Sequence, residues 1–401
     1  MKKVFALILA IAMVTVLAIG CSATPAASSA PAETKAPETQ APVETQAPET
    51  EAPAKTEAPA ETEAPADAPE GFVKGTEEIN PADYPVSICM DTYNHPVHRT
   101  VQLGFLKKAE ELGYTEAQVT GTDLGDSAAA WENGLQWAKS GGKGLLLWAG
   151  DESCYEVLKQ IADTGCIVGI PHFNHIDNDT NKGTLPEGLS FNMACSPVLY
   201  GTQVATVLAE KCDGKEGAVQ ITLNTHNLTE DAADEAFRAQ WEKEAANYDL
   251  SKVTILPTEL EGGDLVEATS IIQGLINAHP EIIAAFGTTG NSPQSWSAAA
   301  ENSGKKVGEI AIVGMDATEG NLAALEEGKV VAIVAQPLYE EAAKTMEYLD
   351  NLFRGGKVPA WTDLEAPIVT VDGEGVNGPA HHKELAAEVT EYFKAKGMTV
   401  G

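Results

Sequence analysis

The chain has 401 residues, with 26 Lys or Arg against 59 Asp or Glu, so its formal net charge is −33 at pH 7. A surface this acidic repels polyanions, which argues against nucleic acids and anionic lipid surfaces as partners. The length is sufficient for two domains of ordinary size, each with its own hydrophobic core.

Residues 1–20 have the pattern of a signal peptide. Two lysines precede an apolar run over residues 4–19, and a small residue, Gly20, stands before Cys21. The run is short for a membrane-spanning helix, and its flanks are those of a cleaved leader. The sequence Leu-Ala-Ile-Gly-Cys resembles the lipobox of bacterial lipoproteins, which implies a lipidated Cys21 at the mature N-terminus. The alternative is an ordinary secretory leader followed by a chance cysteine.

The segment after Cys21 repeats Ala, Pro, Glu and Thr as far as Glu70 and contains no aromatic residue. Such a composition buries too little apolar surface to offset the entropy lost on ordering, so it predicts disorder. We therefore expect residues 21–81 to be a lipidated, disordered tether on the outer face of a cell membrane. An envelope of the Gram-positive type fits this arrangement.

From about residue 82 onward, short apolar runs alternate with segments of helical periodicity. The predicted strands are 85–90, 144–148, 166–170, 218–223, 253–256, 282–286, 310–313 and 330–335, and the predicted helices are 98–112, 155–163, 231–246, 265–278, 294–302 and 321–327. Continuous apolar strands alternating with helices are typical of a parallel sheet covered on both faces. Two such series predict an α/β fold with two Rossmann-like lobes. Ligands of open α/β sheets bind beyond the carboxyl ends of the strands, so the residues after each strand are the candidates.

Three of these segments carry a family resemblance. They are Gly-Phe-Leu-Lys-Lys-Ala-Glu-Glu-Leu-Gly-Tyr at 104–114, Val-Gly-Met-Asp at 313–316, and the stretch over 327–339 that ends in Ala-Gln-Pro-Leu-Tyr. Together they resemble the type 1 periplasmic binding proteins of sugar ABC transporters, the ribose and galactose group. The resemblance covers nearly all of the chain after residue 82.

The resemblance implies two lobes joined by a three-segment hinge. The first lobe would contain residues 82–194 and 337–370, and the second residues 195–336 and 371–401. A monomer of this kind binds a small polar solute, most often a monosaccharide or sugar derivative, between its lobes and delivers it to a membrane permease. Neither a cofactor nor an enzymatic step is implied.

The same resemblance implies ligand roles for Asp316 and Gln336. Asp316 matches the carboxylate that accepts hydrogen bonds from sugar hydroxyls, and Gln336 matches a hinge glutamine that contacts the sugar. A carboxylate and an amide suit vicinal hydroxyls because each presents two hydrogen-bonding points in one plane. The alternatives are a helix N-cap for Asp316 and a purely structural hinge position for Gln336.

The loop after the first strand occupies the place of the family's Asn-Pro-Phe-Phe segment. It contains Tyr93, Asn94, His95 and His98. His95 takes the position of the family's Asn, and His98 takes that of an aromatic residue that stacks on the sugar. An imidazole ring can both stack and donate a hydrogen bond, so the role can persist in altered form.

Other positions depart from the family pattern. His172 and Phe173 stand where sugar binders usually have Asp-Arg, and the loop containing Thr289 and Asn291 replaces their usual Asn-Asp. Arg238 is the nearest candidate for the family's arginine, with a salt bridge on a helix surface as the alternative. These departures are compatible with a transporter receptor of this class, but they do not indicate whether its ligand is the usual pentose or hexose.

Two further features allow other interpretations. Trp148 follows a strand and is either a stacking wall of the cleft or a core tryptophan. The histidines at two strand ends (His95 and His98, His172 and His175) allow a metal-dependent ligand as an alternative, and could make binding depend on pH. A receptor for a nucleoside or a signal molecule is the other alternative to a sugar receptor.

The sequence offers little support for an enzyme. It contains no Walker A, G-x-S-x-G or H-E-x-x-H motif. Residues 373–378 satisfy G-x-G-x-x-G, but Pro379 follows at once and too little chain remains for a βαβ unit, which favours a surface loop. The cysteines after Cys21 have no C-x-x-C spacing and are odd in number, so neither a zinc site nor a full disulfide framework is indicated.

Overall fold

The computed structural model describes residues 70–150, 152–175 and 183–399. These residues belong to one unit of the chain, Glu61–Gly401. The predicted signal peptide, Cys21 and most of the predicted tether lie outside the described residues. Among the described residues, we find no helix with the length and apolar character needed to cross a membrane.

The first lobe is built on a six-stranded sheet whose paired strands are all parallel, in the order β12-β5-β4-β3-β1-β2. Its strands are β1 (Val86–Met90), β2 (Ala117–Gly121), β3 (Gly144–Leu147), β4 (Ile167–Pro171), β5 (Phe191–Cys195) and β12 (Trp361–Leu364). Every residue of β1, β3 and β5 is buried. Burial on both faces explains why β1 and β3 are mainly apolar runs in the sequence, whereas β5, which contains Asn192, was not among the predicted strands.

The second lobe contains a seven-stranded sheet in the order β13-β11-β10-β9-β6-β7, with β8 paired to β6. Its strands are β6 (Gly217–Leu223), β7 (Val253–Ile255), β8 (Glu259–Leu260), β9 (Ile282–Gly287), β10 (Ala311–Met315), β11 (Ala332–Val334) and β13 (Ile368–Val369). All pairs are parallel except β11 with β13. The predicted α/β fold with two mainly parallel lobes is confirmed.

Helices cover both sheets. They are α1 (Pro96–Glu111), α2 (Ser127–Lys139), α3 (Tyr155–Ala162), α4 (Pro197–Cys212), α5 (Leu228–Glu244), α6 (Leu265–Ala278), α7 (Ser292–Asn302), α8 (Glu319–Glu326), α9 (Leu338–Phe353) and α10 (Pro379–Ala395), with short 3-10 helices at Pro81–Asp83, Glu152–Cys154 and Gly375–Asn377. Several starts are fixed by side chains that accept a hydrogen bond from the first turn, among them Asp126, Ser196 and Asn227. Helix α9 packs against α1 in the first lobe, and α4 packs against α5 in the second.

The chain passes between the sheets at three neighbouring places. Strand β5 leads into α4, β11 leads into α9, and β12 leads into β13. These passages, near residues 195–197, 335–338 and 365–367, form the three-segment hinge implied by the family resemblance. They place the carboxyl ends of both sheets on opposite sides of one cleft.

Both ends of the described chain differ from the predicted lobe boundaries. Residues 72–81 were expected in the tether, but Phe72 packs on Tyr348 with ring centroids 6.1 Å apart, and the Gly75 amide donates to Asn351 Oδ1 at 2.7 Å. The tail was expected in the second lobe, but α10 buries Phe393 in the core cluster of the first lobe. That expectation is wrong for α10, because its apolar side faces α1.

The five cysteines after Cys21 are all buried. Burial raises the pKa of the Cys89 and Cys166 thiols to about 12, so both remain protonated. They pack as small hydrophobic residues, as their apolar sequence surroundings indicate. The G-x-G-x-x-G sequence at 373–378 forms an exposed turn before α10 rather than a nucleotide-binding loop.

Candidate functional site

A cleft with a volume of ≈ 740 Å³ lies between the two lobes. The first lobe contributes His95, Val97, Thr100 and His172; the second contributes Asn224, Thr289, Asn291, Gln294, Asp316 and Glu319; the hinge contributes Gln336 and Leu338; and α10 contributes His382, Leu385, Ala386, Val389 and Thr390. The volume is in the range of small-molecule sites. Of the predicted ligand residues, the cleft brings together His95, His172, Thr289, Asn291, Asp316 and Gln336.

Asp316 follows β10 and faces the hinge. Its Oδ1 accepts a hydrogen bond of 2.6 Å from Gln336 Nε2, and its backbone has φ 65°, a left-handed conformation. The N-cap of α8 is Thr318, whose hydroxyl accepts from the Asn321 amide. The N-cap alternative for Asp316 is therefore wrong. Burial raises the pKa of Asp316, whereas the Gln336 hydrogen bond and the nearby His172 and His95 lower it by smaller amounts.

The backbone around Asp316 is fixed by its neighbours. Asn321 is fully buried, and its Nδ2 donates at 2.8 Å to the carbonyl oxygens of both Gly290 and Asp316. A Cβ atom at Gly290 would lie 2.5 Å from Asp316 Oδ2, so only glycine allows this close approach. The carboxylate is thus positioned by the strand end, the hinge and the neighbouring loop together.

His172 occupies the corresponding position at the end of β4 in the first lobe. Its backbone is also left-handed, with φ 79°. Its ring stacks on Trp148 at 4.8 Å between centroids with an interplanar angle of 1°, and its Nδ1 donates to Glu341 Oε2 at 3.0 Å. Among the described non-glycine residues, His172 and Asp316 are the two with positive φ, and both line the cleft. Backbone strain of this kind concentrates at functional sites.

A chain of polar contacts joins these two residues through the hinge. Glu341 is fully buried, and its second oxygen accepts from the Cys195 amide at 2.8 Å. The Cys195 thiol lies 3.8 Å from Gln336 Oε1, and Gln336 donates in turn to Asp316. Cys195 lies in one hinge segment, Gln336 lies in another with Glu341 just after it, and His172 and Asp316 lie at strand ends beside the hinge. The contacts therefore fix the geometry of the site and of the hinge at the same time.

An aromatic cluster lies behind the first-lobe wall rather than on the cleft surface. Trp148 contacts both His98 and Phe173 there, and it is 7% exposed. His98 Nδ1 donates to the Thr92 carbonyl oxygen at 2.6 Å, and burial lowers the pKa of His98 to about 4. These residues support His172 from behind, so the core interpretation of Trp148 agrees with the structure. His98, Trp148 and Phe173 are not among the described residues that line the cleft, and their direct contact with ligand stays a prediction.

Three other predicted residues also lie away from the cleft surface. The Asn94 side chain donates to Asp123 and accepts from Arg99 Nη2 at 2.5 Å, which fixes the loop that contains Tyr93. Arg238 donates to Asp234 at 2.7 Å on the side of α5. Its surface salt bridge matches the alternative interpretation. Tyr93, Asn94 and Arg238 are not among the described residues that line the cleft, and their ligand roles stay predictions.

The second-lobe wall depends on a buried carboxylate that sequence reasoning missed. Glu261 accepts hydrogen bonds from the hydroxyls of Thr222 at 2.7 Å and Thr289 at 2.8 Å, and also from Ser292. Burial raises its pKa, while these hydroxyl donors lower it by smaller amounts. Asn291 is held separately, because its Nδ2 donates to the Gly263 carbonyl oxygen at 2.6 Å. No sequence motif marks Glu261, since its partners come from two other segments of the chain, β6 and the connection from β9 into α7.

The histidines do not form a metal centre in the part of the chain that the structure describes. No group of three or more His, Cys, Asp or Glu side chains is arranged there to hold a metal ion. The Trp148 ring contacts both His98 and His172. His175 is fully buried, with its Nε2 2.6 Å from the Ala149 carbonyl oxygen. The metal alternative therefore has no support from the geometry.

Two parallel α/β lobes, a three-segment hinge and a polar cleft between them define a two-lobed solute-binding protein. Comparison with known families agrees, because residues 86–357, more than half of the chain, match the model of the periplasmic binding protein domain. The chain belongs to the type 1 periplasmic binding protein family. The curated relatives include the ribose import binding proteins of Escherichia coli K12 and Bacillus subtilis 168. The first is 24% identical over 284 residues, covering 71% of this chain and 90% of the relative; the second is 23% identical over 302 residues, covering 75% and 91%.

Solved structures with the same fold include two solute-binding proteins. A glucose-galactose binding protein from Geobacillus stearothermophilus aligns with a TM-score of 0.62 and 18% identity, covering 72% of this chain and 97% of that one. An ABC transporter solute-binding protein from Agrobacterium vitis, bound with alpha-D-tagatopyranose, aligns with a TM-score of 0.63 and 17% identity, covering 75% and 98%. At these identities the likeness concerns the fold alone.

Proposed function

We propose that this protein is the lipid-anchored, extracellular receptor of an ABC importer, and that it binds a neutral sugar or polyol between its lobes. The observation that carries the proposal is the hydrogen-bonded pair of Asp316 and Gln336, which lines the cleft opposite His95 and His172. A carboxylate and an amide at one strand end can bind two adjacent hydroxyls, and the imidazoles offer partners from the other lobe. A ligand held from both sides favours the closed arrangement of the lobes.

The charge of the cleft supports a neutral ligand. Among the described residues that line it, none is Lys or Arg, whereas Asp316 and Glu319 are acidic. A phosphate or carboxylate group would find no fixed cation there, and the net charge of the whole chain would repel it. Sugar phosphates and sugar acids are therefore expected to bind more weakly than the corresponding neutral sugars.

The relatives supply the ligands to test first. The names of the similar proteins refer to ribose, to glucose and galactose, to tagatose and, for a structure from Bacillus halodurans, to myo-inositol. All of these are neutral polyhydroxylated molecules, as the charge of this cleft requires. Experiment must choose among these ligands, because the chain departs from the usual sugar binders at His172, at Phe173 and in the loop of Thr289 and Asn291.

The remaining parts of the proposal follow from the N-terminal sequence. Residues 1–20 would direct export, Cys21 would carry the lipid, and the Ala/Pro/Glu/Thr-rich segment would hold the receptor near its permease. As a monomer, it would transfer its ligand without any covalent step, so neither an enzymatic activity nor a cofactor is needed. A membrane partner of the ABC permease class would receive the solute from the two lobes.

Native mass spectrometry of the purified protein, followed by calorimetric titration, tests this function. The panel contains D-ribose, D-galactose, D-glucose, myo-inositol, ribose 5-phosphate, adenosine and zinc. Stoichiometric binding of a neutral sugar or polyol, with much weaker binding of the phosphate, is the expected result. Binding of adenosine alone would replace the sugar assignment with a nucleoside receptor, and binding that requires zinc would overturn the proposed pocket chemistry.

A further inference from the structure

The helix α10 lies outside the matched family segment, which ends at residue 357, and yet it lines the cleft. Half-buried Leu385 and exposed Ala386 from this helix give the cleft an aliphatic side, and the neighbouring Val389 is 3% exposed and belongs to the core of the first lobe. The side formed by the second lobe and hinge is polar, with Asp316 and Gln336. The cleft therefore has a third wall whose chemistry differs from that of the other two.

The C-terminal half of α10 is fixed to the first lobe. Phe393 is fully buried, and the Arg99 guanidinium lies 4.5 Å from the centroid of its ring. Tyr392 donates to Glu110 Oε1 at 2.8 Å, and Lys107 forms an ion pair with Glu388. These contacts hold the helix in place against α1, so its cleft-facing residues have a defined position.

The N-terminal half of α10 reaches the second lobe. Lys383 Nζ lies 2.5 Å from Glu326 Oε1 at the end of α8. The turn that precedes α10 is bonded to the same lobe, because the Thr370 amide donates to the Asn377 carbonyl oxygen just after β13. The helix therefore contacts both lobes along one side of the cleft.

We propose that α10 is a third wall of the ligand cleft and that its aliphatic face selects ligands by size and by their apolar surface. This inference rests on the proposed function, because it concerns the same cleft. A ligand would present its hydroxyl edge to Asp316 and Gln336 and its less polar face to Leu385 and Ala386. Burial of apolar ring carbons against aliphatic side chains then adds to affinity.

Two neighbouring alanines provide a matched test. Ala386 and Ala387 are both exposed in the same helix, but only Ala386 is among the residues that line the cleft. Ala386→Trp adds an indole ring to the cleft wall, whereas Ala387→Trp adds the same group one position away. For each neutral sugar that the unmodified protein binds, Ala386→Trp should change Kd by about tenfold, the size of a typical packing penalty. Ala387→Trp should leave Kd within about twofold, since substitutions away from packed features have small effects.

Equal Kd values for both variants and the unmodified protein would overturn the third-wall inference and leave the proposed function intact. If the unmodified protein binds no sugar on the panel, the proposed function fails and a measurement without ligand decides the inference. Ala386→Cys and Ala387→Cys are then compared in a chain carrying Cys21→Ser, because the described cysteines are all buried. The thiol at 386 should react with a bulky maleimide more slowly than the thiol at 387, and equally fast with methyl methanethiosulfonate. Equal rates with both reagents would overturn the inference.

Discussion

Replacing Asp316 with Asn tests the ligand-binding assignment most directly. Asn keeps the shape of the side chain and accepts the left-handed backbone of φ 65° more readily than Ala does. The change removes the negative charge that would accept hydrogen bonds from ligand hydroxyls. Hydrogen bonds to a charged group contribute about 1.5–3 kcal/mol, so Kd should rise by about 10- to 150-fold.

The same substitution should not weaken the fold. Burial raises the pKa of Asp316, which means that the folded state disfavours its charged form. A carboxyl group with a raised pKa lowers the free energy of unfolding as the pH rises from its ordinary pKa through its raised one. Asp316→Asn removes this titration, so the variant should be as stable as the unmodified protein at pH 7, or more stable.

Calorimetric titration with a bound sugar and urea unfolding at pH 7 measure the two effects separately. Asp372→Asn is the control, because Asp372 is exposed and lies outside the cleft. The control should change neither quantity. An unchanged Kd for Asp316→Asn would refute the assignment, and a large loss of stability would show that the carboxylate has a structural role instead.

Three further results are expected. Gln336→Leu should lower both the affinity for ligand and the free energy of unfolding, because Asp316 loses its buried hydrogen-bond donor. Urea titrations should show a loss of about 1–3 kcal/mol. Equal stability would show that water or another side chain replaces the amide. Arg238→Ala should leave Kd unchanged in calorimetry but cost about 1–3 kcal/mol of stability, because the guanidinium also donates to the Leu256 carbonyl oxygen and to Thr258 Oγ1 and its partner Asp234 is largely buried. A weaker Kd would return Arg238 to the site. His98 should make the free energy of unfolding fall as the pH drops from about 6.5 to about 4, because the unfolded chain takes up the proton first. In His98→Phe the urea midpoint should therefore depend less on pH over this range. An equally strong pH dependence in that variant would show that His98 is not its cause.

The sequence predicted the fold class because buried parallel strands have a strong local pattern. Strands β1, β3 and β10 are continuous apolar runs, and each lies where the sequence places it within a residue or two. Strand β2 was missed because the residues of Ala117–Gly121 are mainly half-buried at a sheet edge and mostly polar or small. Edge strands lack the two-sided burial on which this prediction depends.

The candidate site could be predicted in part. The family resemblance implied the roles of Asp316 and Gln336, and both follow predicted strands, where the topology of parallel sheets brings such positions to one edge. Glu341 and Glu261 could not be predicted, because their partners lie on distant segments. The helical tail was placed in the wrong lobe because no local pattern shows which neighbour an amphipathic helix will cover, as for Phe393.

The positions of His172 and Asp316 connect ligand binding to the hinge in physical terms. A left-handed non-glycine residue costs about 1–3 kcal/mol, so each must be held by contacts that exceed this cost. Here the same path supplies such contacts for both residues, from Glu341 through the amide and the thiol of Cys195 to Gln336. A ligand hydroxyl that donates to Asp316 competes with the Gln336 amide for its oxygen atoms and thereby alters a hydrogen bond of the hinge itself. Binding and lobe closure should consequently be coupled through Gln336, and weakening this residue should affect both.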